Sequence, residues 1–106
     1  MFGRQVTFKL KANSATELNR LTDAEVLPIL RRQKGFRDET TFVSTERAEV
    51  IANSFWDTKA DADAYSSTAY PEVLKTLSNV IDGTPTVKTF EFARSTSQKV
   101  AASKLM

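Results

Sequence analysis

The sequence IANSFWDTKADADAYSSTAY, residues Ile51–Tyr70, is the most informative about the fold, because in it a strand carrying the only tryptophan runs directly into an alanine-rich helix. Alternation places Val50, Ala52, Ser54 and Trp56 on one face of the strand and Ile51, Asn53 and Phe55 on the other. Both faces carry apolar side chains, whereas a strand with one wet face alternates cleanly between apolar and polar residues. We therefore expect this strand to be covered on both faces.

Period-two alternation and helical spacing predict the remaining strands and helices. The predicted strands are Gln5–Lys11, Phe36–Thr45, Glu49–Asp57 and Thr86–Arg94. The predicted helices run from Ser14 to about Gln33, from Thr58 to Ser67 and from Tyr70 to Ile81. This order, β-α-β-β-α-β, is the α+β, ferredoxin-like arrangement, with an antiparallel sheet and helices on one face. So short a chain has helices for only one face of the sheet, which predicts that a second copy covers the other face in a two-fold homodimer.

The helix ends are predicted from capping signals. Ser14 followed by Glu17 has the spacing of a capping box, and Thr58 is the expected cap of the following helix. Pro28 lies inside the first helix and predicts a kink there, or a fresh helix start near Thr22. Gly83 is expected to supply the left-handed residue that follows the last helix.

The length and composition of the chain exclude several classes of function. A chain of 106 residues predicts one domain, residues 1–94, followed by a mobile polar tail over residues 95–106. The net charge of +2 is too small to indicate nucleic acid, and no apolar run is long enough for a membrane span. The start lacks the continuous apolar centre of a signal peptide, so a cytoplasmic location is expected. With no cysteine and no histidine, disulfides, thiolate chemistry, and the commonest metal ligand and general base are excluded.

Two segments carry a resemblance to a known family. The run Glu25–Phe36 is similar to the helix-plus-"PGF" segment of the antibiotic biosynthesis monooxygenase (ABM) family, with Lys34 in place of the usual proline. The sequence SFWDT ending at Thr58, followed by DADAY ending at Tyr65, resembles that family's third-strand tryptophan and the helix after it. The resemblance covers roughly residues 6–94. It implies a dimeric α+β barrel, in which two ferredoxin-like sheets pack face to face.

The resemblance also implies a choice of chemistry, because the family includes cofactor-independent monooxygenases and haem-degrading enzymes. The haem-degrading branch places a tryptophan nine residues after Trp56 and an iron-binding histidine ten residues further on, where this chain has Tyr65 and Lys75. Histidine-ligated haem is therefore not expected. The resulting prediction is a small monooxygenase that uses dioxygen, an electron-rich phenolic or quinol-like substrate, and no cofactor or metal. The alternative is a non-catalytic dimeric protein that binds small molecules or is associated with stress.

The candidate site is a pocket between the sheet and the helices, bordered by Trp56 and Tyr65. The predicted catalytic residues are Trp56, Tyr65 and Asn53, and the predicted substrate-binding residues are Tyr70, Phe55 and Lys75. Each also has a structural interpretation. The large aromatics are typical core side chains, Lys75 fits the polar side of its helix, and Asn53 needs a hydrogen-bonding partner either across the dimer or in the pocket.

Overall fold

The computed structural model describes residues 1–94, so the predicted mobile tail, residues 95–106, lies outside the described residues. The strands are β1 (Phe2–Leu10), β2 (Phe36–Ser44), β3 (Glu49–Trp56) and β4 (Ile81–Glu91). The helices are α1 (Ala15–Leu21), α2 (Leu27–Arg31), α3 (Lys59–Thr68) and α4 (Tyr70–Leu77), with a π-helical turn (Thr22–Val26) between α1 and α2. The strands pair antiparallel in the order β2-β3-β1-β4, which confirms the predicted ferredoxin-like fold.

The helices pack on the sheet face that carries Trp56. In the register of β1 with β3, Phe2 lies opposite Trp56 and Phe8 opposite Val50, so these side chains share one face. They join the buried side chains of the helices in one core, which includes Leu18, Leu21, Val26, Ile29, Leu30, Ala62, Tyr65, Val73 and Leu77. The core therefore lies between the sheet and the four helices.

The opposite face, which we call the open face, is not covered by a helix in the described part of the chain. Its large apolar residues include Phe42 and Phe90, whose side chains are 60% and 52% exposed. Phe55 lies over Gly3 and packs edge to face against Phe92, with ring centroids 6.2 Å apart. The two-faced pattern of β3 thus corresponds to one face in the core and one face carrying exposed aromatics.

The predicted first helix is three segments, and its predicted capping box is wrong. The Ser14 hydroxyl donates to the Ala12 carbonyl and caps no amide, while Glu17 pairs with Arg20 one turn on. The fresh start predicted near Thr22 is the π-helical turn, where the Leu27 amide donates to the Thr22 carbonyl five residues back. Pro28 follows immediately; because proline has no N–H and clashes with the preceding turn, the chain widens just before it.

The last helix and strand have boundaries different from those predicted. The helix ends at Leu77, and β4 begins at Ile81, since Ile81 is buried and pairs with Leu10 of β1. Gly83 is left-handed, with φ +85°, but it lies at a register shift within β4 and not at the helix end. There glycine readily adopts the positive φ that the irregular pairing of β4 with β1 requires.

The predicted cap of the third helix is confirmed, since the Thr58 hydroxyl accepts a hydrogen bond from the Asp61 amide at 3.1 Å. This cap fixes where α3 begins and so fixes the turn that carries Tyr65 over the sheet. Within residues 1–94, no helix is both long enough and apolar enough to cross a membrane.

Candidate functional site

A cavity of about 60 Å³ lies between the sheet and the helices. Most of its wall is apolar and comes from the π-helical turn, α1, α2, α4 and the inner face of the sheet. The apolar lining includes Val6, Phe8, Leu18, Val26, Leu30, Val50, Val73, Leu74 and Leu77. The polar lining includes Arg4, Thr22, Glu39, Thr41, Ser54, Tyr65 and Tyr70. The few polar groups therefore converge on an otherwise hydrophobic chamber, the usual composition of a small-molecule site.

Tyr65 is held in the cavity wall by Trp56. The Trp56 side chain has no exposed surface and stacks on the Tyr65 ring, with centroids 4.9 Å apart and planes 28° from parallel. Its indole Nε1 donates to the Ser54 hydroxyl at 2.9 Å, and the Phe36 and Trp56 rings make an edge-to-face contact with centroids 5.6 Å apart. Trp56 lies behind Tyr65 and does not itself line the cavity. It acts as a rigid support for the aromatic wall.

The two tyrosines present hydroxyl groups of different character. Burial raises the pKa of Tyr65 to about 12, partly opposed by the charge of Arg4, so its phenol stays neutral near pH 7 and can donate a hydrogen bond. The Tyr70 ring lies 6.0 Å from the Tyr65 ring. Its hydroxyl is buried and has no hydrogen-bond partner within residues 1–94. A buried hydroxyl without a partner is unfavourable, so Tyr70 has hydrogen-bonding capacity left for a ligand.

Arg4 brings a positive charge into this chamber, and sequence reasoning missed it. The residue is only 4% exposed, and its guanidinium lies 3.9 Å from the Tyr70 ring centroid and 5.4 Å from that of Tyr65. Its Nη2 donates to the Ser66 hydroxyl at 3.4 Å. Within residues 1–94, no carboxylate forms a salt bridge with it. Arg4 alternates on the same face of β1 as Phe2, Val6 and Phe8. A predicted strand that began at Phe2 would therefore have placed the Arg4 side chain on the core face.

Three polar residues form a row across the sheet on the cavity side. Ser54 of β3 pairs with Arg4 of β1 on one side and with Glu39 of β2 on the other. Glu39 is half-buried, and burial raises the pKa of its carboxyl, although a hydrogen bond from the Thr41 hydroxyl opposes that rise. We call Glu39, Ser54 and Arg4 the polar row. A cation and a carboxyl group thus face the same cavity from opposite sides of a serine.

Comparison with solved structures shows which known proteins share this fold. A monooxygenase from the gene ActVA-Orf6 of Streptomyces coelicolor, in complex with the ligand nanaomycin D, is 20% identical, with a TM-score of 0.73 over 89% of this chain and 88% of that one. An antibiotic biosynthesis monooxygenase is 14% identical, with a TM-score of 0.69 over 88% of this chain and 99% of that one. A Nitrosomonas europaea protein of unknown function is 12% identical, with a TM-score of 0.71 over 91% of this chain and 92% of that one.

This chain has the ABM fold. By sequence, no family model and no curated protein matches it. At identities this low the structural likeness establishes the architecture, while activity depends on which side chains the ABM fold brings together here.

The ABM fold brings together three of the six residues singled out from the sequence: Trp56, Tyr65 and Tyr70. Asn53 borders the cavity, but its side chain lies on the open face, where its Oδ1 accepts a hydrogen bond from Gln5 Nε2 at 3.1 Å. Phe55 also lies on the open face, and Lys75 is exposed on α4, outside the cavity lining. Strand alternation explains the separation, since residues 53 and 55 point away from residues 54 and 56.

The acidic side chains near the start of α3 have local partners. Asp57 bonds with Arg37, and Asp63 with Lys59 at 2.6 Å. Within the described residues, no group of three or more acidic side chains is arranged to hold a metal ion. These carboxylates therefore act as partners for neighbouring cations and for the helix start.

Proposed function

We propose that this protein is a small monooxygenase that oxidises an electron-rich phenolic or quinol-like molecule with dioxygen and without a cofactor. The observation that carries the proposal is the hydrophobic cavity walled by Tyr65 and Tyr70, into which Arg4 brings a buried positive charge. The likeness to a monooxygenase whose structure holds a small-molecule ligand supports it.

In such a reaction the substrate supplies the electrons. A phenol whose para C–H becomes C=O gives up two hydrogens and takes one oxygen atom from dioxygen, and the other oxygen atom leaves as water. The electron-rich species is the phenolate, and a buried cation stabilises it by lowering the pKa of the substrate hydroxyl. Arg4 provides that charge, the neutral Tyr65 hydroxyl can donate a hydrogen bond to a substrate oxygen, and the apolar wall excludes water.

The size of the cavity limits what enters without rearrangement. About 60 Å³ holds dioxygen or a few water molecules, whereas sites for drug-sized ligands are typically about 300–1,000 Å³. An aromatic substrate must therefore displace side chains at the mouth of the cavity. The same small volume favours the alternative, a barrel that binds small molecules without catalysis.

Oxygen consumption separates the two candidates. A panel of hydroquinones and anthrone-like compounds is supplied to the wild type, with matched anaerobic samples analysed for product. We expect substrate-dependent oxygen uptake, reduced at least about tenfold in Tyr65→Phe and in Trp56→Phe, and unchanged in the control Lys75→Ala, whose side chain is exposed. Uptake that is the same in the two aromatic variants as in the wild type would remove the support for this site.

We also propose that a second copy of the chain covers the open face. That face exposes Phe42 and Phe90 beside the packed pair Phe55 and Phe92, an arrangement unfavourable in water unless a partner buries it. Light scattering is expected to give twice the 11.8 kDa of one chain, and Phe42→Glu combined with Phe90→Glu is expected to give single chains. A wild type that stays at 11.8 kDa at high concentration would contradict dimerisation.

A further inference from the structure

We infer that the polar row is a two-ended receptor, in which Arg4 binds an anionic oxygen of a single-ring aromatic ligand and Glu39 hydrogen-bonds a hydroxyl at the opposite end of the ring. This deepens the proposed function, on which it rests, by naming the chemical class of the substrate: hydroxylated aromatic anions. Neither residue belongs to the set singled out from the sequence.

The first end of the receptor is the Arg4 guanidinium. A guanidinium has five N–H donors, and within residues 1–94 the Arg4 side chain uses one, toward Ser66 at 3.4 Å. Its Cζ lies 3.9 Å from the centroid of the Tyr70 ring, a cation–π contact that uses none of the N–H donors and so leaves them for a ligand. Since a buried cation without an anion is unfavourable, a planar anionic oxygen group entering the cavity gains both charge and hydrogen bonds.

The second end is the Glu39 carboxyl. The Thr41 hydroxyl donates to Glu39 Oε2, which leaves Oε1 for a ligand. The charged or titratable groups around Glu39 are Asp38 on its own strand, Arg4 on β1 and Tyr65 on α3. A carboxylate that has been desolvated in this way is a better proton acceptor. It can take the proton of a ligand hydroxyl, so that ArOH and the carboxylate become ArO⁻ and the carboxylic acid.

The spacing of the two ends sets the size of the ligand. Arg4 and Glu39 are each one strand away from Ser54, so their Cα atoms are about 10 Å apart and their side chains rise from the same face. Trp56 Nε1 donates to the Ser54 hydroxyl between them, which fixes the floor of the gap. The free volume above that floor is only about 60 Å³, so even a single ring must displace side chains and a fused polycycle must displace more of them.

Binding measured by calorimetry in anaerobic buffer tests the receptor directly. The probes are 4-hydroxybenzoate, which has both ends, methyl 4-hydroxybenzoate, which lacks the anion, and benzoate, which lacks the hydroxyl. For the wild type we expect 4-hydroxybenzoate to bind at least about tenfold more tightly than its methyl ester and severalfold more tightly than benzoate. 4-Nitrophenol above its pKa then shows whether a phenolate oxygen replaces the carboxylate on Arg4.

Variants assign the two preferences to the two residues. Arg4→Gln is expected to abolish the preference for acid over ester, and Glu39→Gln to weaken the preference for 4-hydroxybenzoate over benzoate. The exposed residues Arg31 and Glu25 provide matched controls, Arg31→Gln and Glu25→Gln, which are expected to keep both preferences. If Arg4→Gln fails to fold, the comparison of acid with ester in the wild type still decides the outcome.

Equal binding of acid and ester by the wild type, no binding of either, or a preference that survives in folded Arg4→Gln would each overturn the inference. A protein that oxidises quinols but does not discriminate acid from ester would contradict the receptor alone. A protein that discriminates but consumes no oxygen would contradict the monooxygenase proposal alone.

Discussion

Replacing Gly35 with alanine tests how the turn between α2 and β2 is locked to the start of α3. Gly35 has φ +79°, and a Cβ added to it would lie 2.1 Å from Asp61 Oδ2, 2.5 Å from Asp61 Cγ and 2.8 Å from Asp61 Cβ. The Gly35 carbonyl also accepts a hydrogen bond from the Asp57 amide at 2.8 Å. The turn is therefore pressed against the first turn of the helix that carries Tyr65, with no room for a side chain.

The structure also contains a matched control. Gly83 has φ +85°, and no heavy atom lies within 4 Å of the Cβ it would gain, so Gly83→Ala meets only the backbone penalty, about 1–2 kcal/mol. Gly35→Ala meets the same penalty and a steric overlap, which in packed sites adds about 1–3 kcal/mol. One kcal/mol shifts the melting temperature of a domain near this size by about 4–8 °C. Gly35→Ala should therefore melt about 4–24 °C below Gly83→Ala.

Thermal unfolding followed by circular dichroism measures this difference, and Asp61→Ala separates the two causes. In the Asp61→Ala background the two nearest contacts are absent and only the Cβ contact remains, so Gly35→Ala should destabilise less than it does in the wild type. Equal melting temperatures for the Gly35 and Gly83 variants, or no coupling between Gly35→Ala and Asp61→Ala, would refute the steric reasoning.

Two further predictions concern titration. Burial raises the pKa of Glu39 in the folded state, so the stability associated with its protonated form is present at low pH and is lost as pH rises through the folded pKa. Glu39→Gln should therefore melt above the wild type at pH 8, with the difference shrinking at pH 4; a constant difference would contradict a buried carboxyl. Because the pKa of Tyr65 is about 12, the folded protein should show a phenolate absorbance step near that pH that is absent from Tyr65→Phe, and wild-type stability should fall as pH rises from 10 to 12.

The fold was predictable because its pattern is local. Alternation in the strands, helical spacing after Tyr70 and the Thr58 cap each act over a few residues, and the structure confirms the order of elements they predict. The errors arose where distant pairing decided the outcome. Ile81 continues the helical spacing of α4, yet its pairing with Leu10 makes it the first residue of a strand.

The candidate site was predictable only in part. Trp56 and Tyr65 come from adjacent elements, so the sequence predicts that they lie close together; Tyr65 lines the cavity, and Trp56 stacks behind it. The polar row joins three strands that are far apart in the chain, and only their register reveals that Arg4 and Glu39 flank Ser54. A polar residue in an apolar strand predicts a site role for Asn53, but its side-chain partner is Gln5 on the open face.

The π-helical turn is a part of the cavity wall that can change its length by one residue, whereas the sheet cannot without a shift in its register. A π turn contains one residue more than an α-helix uses over the same span, and here the residues of the turn that face solvent are Asp23, Ala24 and Glu25. Losing one codon at these positions would restore regular winding while the segments on either side keep their orientation, so Leu30 would still face the chamber and only the wall formed by the turn would become narrower. The sheet would keep its register. Insertions and deletions in this turn are thus a route by which related genes could diversify ligand choice, and comparing the calorimetric selectivity of a one-residue deletion variant with that of the wild type measures it.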